Sequence, residues 1–156
     1  MFGNLDNTEI EKVLKNQIVA RIGCHANNMT YVVPTSYAYD GIYIYGHTQE
    51  GMKIEMMRQN PKVCFEVDTM ENMANWESVI AWGEFEEIID LVEREKALKK
   101  LLERKLPIVT SKTVQLTPNW PFYSGNLNDI QGIVFRIKLT KKTGRFEKSD
   151  EVPFIR

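Results

Sequence analysis

Apolar and polar residues alternate with a period of two over much of the first half of the chain, and that period predicts strands. Ile18, Ala20, Ile22, Cys24 and Ala26 share one face. After the turn signal Asn27-Asn28, residues 31–39 alternate again, with Tyr31, Val33, Thr35, Tyr37 and Tyr39 on one face and Val32, Pro34, Ser36 and Ala38 on the other. Asp40-Gly41 then offers the two positive-φ positions of a type I′ hairpin turn, before a β-branched and aromatic strand over residues 42–45. Pro34 has no N–H to give a ladder, so its strand is expected at an edge, or beside something other than a strand, such as a ligand.

A period near 3.6 predicts three helices. The first carries Ile10, Val13, Leu14 and Gln17 on one stripe, with Thr8 and Glu11 at capping-box spacing. The second covers residues 50–60 and stops at Pro61; its Met52, Ile54, Met56 and Met57 read as core packing. The third is capped by Asp90, carries Leu91, Leu98, Leu101 and Leu102 on one side, and otherwise shows a charged, solvated face up to Pro107. Further strands are expected over residues 62–68, 76–89 and 130–140, with a polar connection at 69–75 and a turn at 141–145. In the second of these, Val79, Ala81, Gly83 and Phe85 oppose Ser78, Ile80, Trp82 and Glu84, and Gly83 suggests a bulge or a close backbone approach. The loop 108–129, with Trp120-Pro121-Phe122, is long enough to cover a site or a subunit contact. Six or so antiparallel strands with interspersed helices predict a mainly β protein, a β-barrel with flanking helices, built as a single domain over residues 1–156.

Composition narrows the partners. With 20 basic against 21 acidic residues and a net charge of −1, no global positive field exists to bind nucleic acid or an anionic membrane. No apolar run approaches the roughly 18 residues of a membrane span, and the start MFGNLDNTEI lacks a leader pattern, so a cytoplasmic protein is expected. Cys24 and Cys64 form no C-x-x-C pair and read as reduced thiols, and two histidines without clustered carboxylates give no metal site.

The candidate chemistry lies in residues 46–53. Gly46 and Gly51 allow close backbone approach, Thr48 offers a hydroxyl, Lys53 a positive charge, and a helix start points free N–H groups toward the same place. These are the parts of an anion site; they are also the parts of an ordinary strand-to-helix turn with a surface lysine, and spacing alone does not separate the two.

Three segments in order, VVPTSYAYDGIYIYGHTQEGMK, MMRQNPKVCFEVD and ANWESVIAWGEFEEI, resemble the flavin-nucleotide-binding split barrels related to pyridoxamine 5′-phosphate oxidase, most closely the nitroimidazole-resistance branch. The resemblance implies an FMN-binding split β-barrel, a homodimer with FMN at the subunit interface, and an oxidoreductase that reduces a small flat acceptor, nitro or quinone-like, with electrons from a nicotinamide nucleotide. A flavin- or haem-binding carrier or sensor on the same fold is the alternative. Position by position it implies that Lys53 binds the cofactor phosphate with Gly51 and Thr48 beside it, and that Val33, Pro34, Thr35 and Ser36 run along the ring system. Gly46 and His47 would follow at the next strand, and Ser78 would reach the flavin from the long strand, in its own subunit or across the dimer. At the matching place His47 would either deliver a proton or only hydrogen-bond. The strand motif of the oxidase, with its leading arginine and terminal lysine, is absent, as is its C-terminal tryptophan-glycine-arginine-histidine signature, so pyridoxamine phosphate oxidation is not implied.

Overall fold

The computed structural model describes residues 1–105 and 125–149. Strands β1 (Phe2–Asn4), β2 (Val19–Ala26), β3 (Met29–Ser36), β4 (Ala38–Tyr39), β5 (Tyr43–Thr48), β6 (Lys62–Asn72), β7 (Asn75–Glu87) and β8 (Ile133–Glu147) alternate with helices α1 (Asn7–Asn16), α2 (Met52–Gln59) and α3 (Leu91–Leu102). All strand pairs are antiparallel, in the order β3-β2-β6-β7-β8-β5-β4, with β1 beside the end of β8. The sheet curls around one core without closing, because its two edges, β3 and β4, meet in sequence at Tyr37 and do not pair with one another.

The alternation predicted for the first strands is the alternation of burial: Ala20, Ile22, Cys24 and Ala26 are buried while Val19, Arg21 and His25 are exposed. They pack with Phe65, Val67, Val79, Ala81, Phe135 and Ile137 under α1 and α2. Helix α3 covers a second cluster, in which Ala97, Leu98 and Leu101 meet Ala38, Ile88, Ile130 and Val134; Leu91 stays exposed.

Four local expectations are corrected. Positive φ at both central residues occurs at Asn27 (52°) and Asn28 (59°), so the type I′ geometry belongs to the β2–β3 hairpin. In the β4–β5 turn only Gly41 is positive, and Asp40 instead accepts hydrogen bonds from the backbone N–H groups of Ile42 and Tyr43. Residues 69–72 extend β6, and residues 141–145 do not turn but continue β8, where Gly144 lies so close under Leu5 and Ile10 that a Cβ would stand 2.9 Å from each. Finally, α1 is capped by Asp6, whose carboxylate accepts from Glu9 N–H while Glu9 reciprocates to Asp6 N–H. Asp6→Ala is therefore expected to lower stability by about 1 kcal/mol in urea unfolding, and Thr8→Ala by at most a few tenths; the reverse ranking would contradict the cap.

The bulge expected at Gly83 is present, as the β7–β8 register shifts between Trp82 and Gly83. Trp82 lies on the outer face, not in the core, with the Lys141 ammonium 5.2 Å from its ring centroid.

Candidate functional site

The place where the sheet fails to close is built around Tyr37. Its backbone N–H donates to Ile18 O at 3.0 Å, its hydroxyl to Leu14 O at 2.7 Å, and its ring meets Phe65 edge-on at 4.9 Å. On one side of this anchor β4 pairs with β5 through Ala38↔Tyr45 and Tyr39↔Ile44; on the other the chain leaves β5 and joins β2 as β3. A gap thus opens between β3 and the far end of β5, at the start of α2.

Antiparallel ladders alternate the direction of backbone groups, which fixes what lines this gap. The Tyr37-to-Ile18 bond and the register Thr35↔Ala20, Val33↔Ile22 assign the odd-numbered residues of β3 to β2. Val32 and Ser36 therefore turn both N–H and C=O toward the gap, and Pro34 its C=O. The N–H that Pro34 lacks falls on the open side, where no ladder asks for it. On β5 the bond from Leu139 N–H to Ile42 O, with Ile44↔Ile137 and Gly46↔Phe135, commits the main-chain groups of Gly46 and Thr48 to β8 and leaves those of His47 facing the gap.

Helix α2 begins there with Gly51 as N-cap and no side-chain cap, so the N–H groups of its first turn have no acceptor within the helix. A Cβ at Gly51 would meet nothing within 4 Å. Lys53, half-buried, makes no hydrogen bond or ion pair with a described residue, and burial holds its ammonium below the ordinary lysine value, although proximity to the Cys24 thiol acts the other way. Burial likewise pushes the Cys24 thiol up, with Lys53 opposing. A desolvated cation without a counter-ion, beside bare helix N–H groups and open backbone edges, is a site for an anion.

His47 is tied down. Its Nε2 lies 2.6 Å from Gln131 O, so Nε2 carries the hydrogen and Nδ1 is left as the acceptor nitrogen. Burial lowers its pKa below the ordinary 6.5; the bond to Gln131 opposes this, and the nearby Arg94 and Arg104 guanidinium groups add to the lowering. A folded value below the unfolded one means that the unfolded chain takes up the proton first as pH falls. The stability held by neutral His47 is then complete above about pH 6.5 and lost as pH falls through the folded value. Wild-type protein is expected to lose more stability between pH 7.5 and 5.5 than His47→Gln in parallel urea titrations; identical losses would show that His47 titrates normally.

Strand pairing puts Val33, Pro34, Thr35 and Ser36 on β3 at one edge of the gap, Gly46, His47 and Thr48 on the far end of β5, and Gly51 and Lys53 at the start of α2, with different roles. Gly46 faces inward, where a Cβ would stand 2.3 Å from the buried Phe135 ring, so it serves packing and not ligand approach. Thr35 is buried, with its hydroxyl on Ser36 O at 3.3 Å. Ser78 is not in the gap: its hydroxyl donates to Glu66 at 3.1 Å on the outer face, and β2 and β6 lie between β7 and β3. Trp76 donates to Glu147 at 3.1 Å, at the opposite end of β8, and Trp120-Pro121-Phe122 lies outside the described residues.

Arg94 and Arg104 are the residues that sequence reasoning passed over. Within a helix read as a solvated face, Lys96, Lys99 and Lys100 do pair with Glu93, Glu95 and Glu103 at the surface. Arg94 instead donates to Ile130 O and Gly132 O, and Arg104 to Leu101 O at 2.7 Å and Tyr37 O at 3.3 Å. What sets them apart from their charged neighbours is a carbonyl remote in sequence, Ile130 and Gly132 for Arg94 and Tyr37 for Arg104; Leu101 is a neighbour on the same helix.

Residues 6–145 match the profile of the pyridoxamine 5′-phosphate oxidase family. The chain belongs to that family, and its open antiparallel sheet is the flavin-binding split barrel. Among solved structures, a protein of Mesorhizobium loti described as FAD-binding is 29% identical, with a TM-score of 0.70 over 95% of this chain and 99% of its own. A Bacteroides thetaiotaomicron protein provisionally assigned to 5-nitroimidazole antibiotic resistance is 21% identical, with a TM-score of 0.71 over 94% and 87%; at that identity the likeness shows the fold. The uncharacterized protein RA0666 of Rhizobium meliloti (strain 1021) is 31% identical over 84 residues, 54% of this chain and 56% of its own, so the match spans about half that relative's length.

Proposed function

We propose that the protein is an FMN-dependent oxidoreductase that takes electrons from a nicotinamide nucleotide and reduces a small flat acceptor, nitro or quinone-like. The observation that carries this is the half-buried Lys53, without a hydrogen bond or ion pair among the described residues, at the start of α2, beside a gap edged by backbone groups of Val32, Ser36 and His47 that no described strand pairs with. These residues fit a flavin mononucleotide: Lys53 and the N–H groups of the first turn of α2 hold the phosphate, and the two strand edges offer donors and acceptors to the polar rim of the ring. The bound flavin supplies hydride acceptance from the donor and electron delivery to the acceptor. Val33 and Pro34 give apolar cover, and neutral His47 orients the rim by hydrogen bonding, since its imidazolium is disfavoured. A proton passing through His47 must first be accepted at Nδ1.

The working unit in this reading is a homodimer. The outer face of the sheet presents Val32, Ile80 and Trp82 at 63%, 37% and 38% exposure, with Ser78 along the same face of β7. A second copy on this face would cover that apolar strip and bring Ser78 toward the partner's gap. Sedimentation at the monomer mass at micromolar concentration would remove this part of the proposal.

Turnover separates an enzyme from a carrier. With FMN-loaded protein, reduced nicotinamide nucleotide and a small quinone, many acceptor molecules should be reduced per protein; at most one per bound flavin would favour a carrier.

A further inference from the structure

We propose that a second, cationic cavity binds the phosphate group of a small molecule, a proposal that does not depend on flavin in the gap. The cavity, about 390 Å³, lies between the C-terminal ends of α1 and α3 and the β4 segment, and is lined by Lys15, Tyr37, Tyr39, Lys100, Arg104 and Lys105. Glu103 is the only carboxylate among the described residues of its wall, and it is engaged by Lys100 at 3.8 Å. The remaining charge is positive.

Arg104 is the one arginine among the described residues of the lining. Its guanidinium is half-buried, and burial pushes it down to about 10, still charged at neutral pH. Nε donates to Leu101 O and Nη1 to Tyr37 O, both neutral carbonyls, and no carboxylate among the described residues meets it. A guanidinium has five N–H donors and the described residues take two of them, which leaves the Nη2 edge and one Nη1 hydrogen for a ligand. The two carbonyls hold the fork in one orientation, and a planar fork in a desolvated setting favours bidentate contact with phosphate oxygens. Lys15 and Lys105, exposed at the rim and without ion pairs among the described residues, add attraction that salt screens. A basic residue in the last turn of a helix ordinarily needs no ligand to explain it. That accounts for Lys15 and Lys100, not for a half-buried arginine facing a cavity of small-molecule size.

The test is calorimetry of the purified full chain with ADP, FMN and inorganic phosphate. ADP is expected to bind wild-type protein, more weakly as salt rises, and Arg104→Gln to weaken it roughly ten- to hundredfold. FMN affinity should be unchanged in the double variant Lys15→Gln/Lys105→Gln, which removes two rim charges of this cavity that the gap does not use and so separates the two sites. Should Arg104→Gln fail to fold, the exposed double variant Lys15→Gln/Lys105→Gln, which leaves the core untouched, should still weaken ADP and flatten its salt dependence. ADP tighter than inorganic phosphate assigns the cavity to a nucleotide; equal affinities assign it to a free phosphate. No ADP binding at millimolar concentration, or binding equally tight in wild type and both variants, would overturn the proposal. Loss of FMN binding with ADP binding intact would count against the flavin reading alone.

Discussion

Gly83→Ala is expected to destabilise the protein by about 3 kcal/mol or more, the upper end of what overpacking costs. A Cβ there would stand 2.3 Å from the backbone carbonyl oxygen of Lys138 and 2.8 Å from the Ile137 side chain. Lys138 cannot yield: it pairs with β7 on one side and with Tyr43 of β5 on the other, so moving its carbonyl disturbs the ladder that carries His47. For a chain of 156 residues a loss of that size lowers the melting temperature by roughly 6–12 °C. Gly51→Ala is the milder comparison: its Cβ enters open space and its φ of 166° is extended backbone, so its loss should be limited to the ~0.5–1 kcal/mol by which alanine is the poorer N-cap. Equal midpoints for Gly83→Ala and wild type in calorimetric melts would mean that the bulge can relax and that β8 is not pinned.

The second large effect concerns binding. Lys53→Ala removes the half-buried cation from the gap, and a charge-assisted contact to a phosphate of that kind contributes about 1.5–3 kcal/mol, so FMN affinity should fall roughly ten- to hundredfold. Stability should move the other way. A half-buried charge with no ion-pair partner among the described residues costs the flavin-free protein stability, so Lys53→Met, which keeps the apolar stem, should unfold at equal or higher temperature while binding FMN as poorly as Lys53→Ala. Loss of stability together with intact FMN binding would show instead that Lys53 is structural.

Much of this was legible in the residues. The period-two face of Ala20, Ile22 and Cys24 located a core strand, and the missing N–H of Pro34 announced an edge. The Asp90 cap stands where the spacing put it, accepting from Glu93 N–H. What was not legible depended on partners distant in sequence. The run 141–145 has turn composition, yet it stays extended because β7 pairs along all of it and β1 joins at Arg145. Gly46 reads like a glycine kept for ligand approach, and only the opposing Phe135 ring shows that the space belongs to the core. Arg104 is one more charge on a charged helix until Tyr37 O is seen beside it. The three-residue β1 is too short for any period to reveal.

Within the candidate site, the residue types indicated an anion and a flat ligand, while the division of labour came from geometry. Backbone direction separates His47, whose main chain faces the gap, from Gly46 and Thr48, whose main chain does not. The bond to Gln131 sets the His47 tautomer, which no property of the histidine itself could indicate.

The visible absorption spectrum of the purified protein, taken before and after addition of FMN and gel filtration, bears most directly on whether this gap holds a flavin. Oxidised-flavin bands should travel with the protein at about one flavin per chain, and Lys53→Ala should lose them. A colourless protein that releases all added FMN on the column, while wild type and Lys53→Ala behave alike, would leave the split barrel standing and contradict the cofactor assignment.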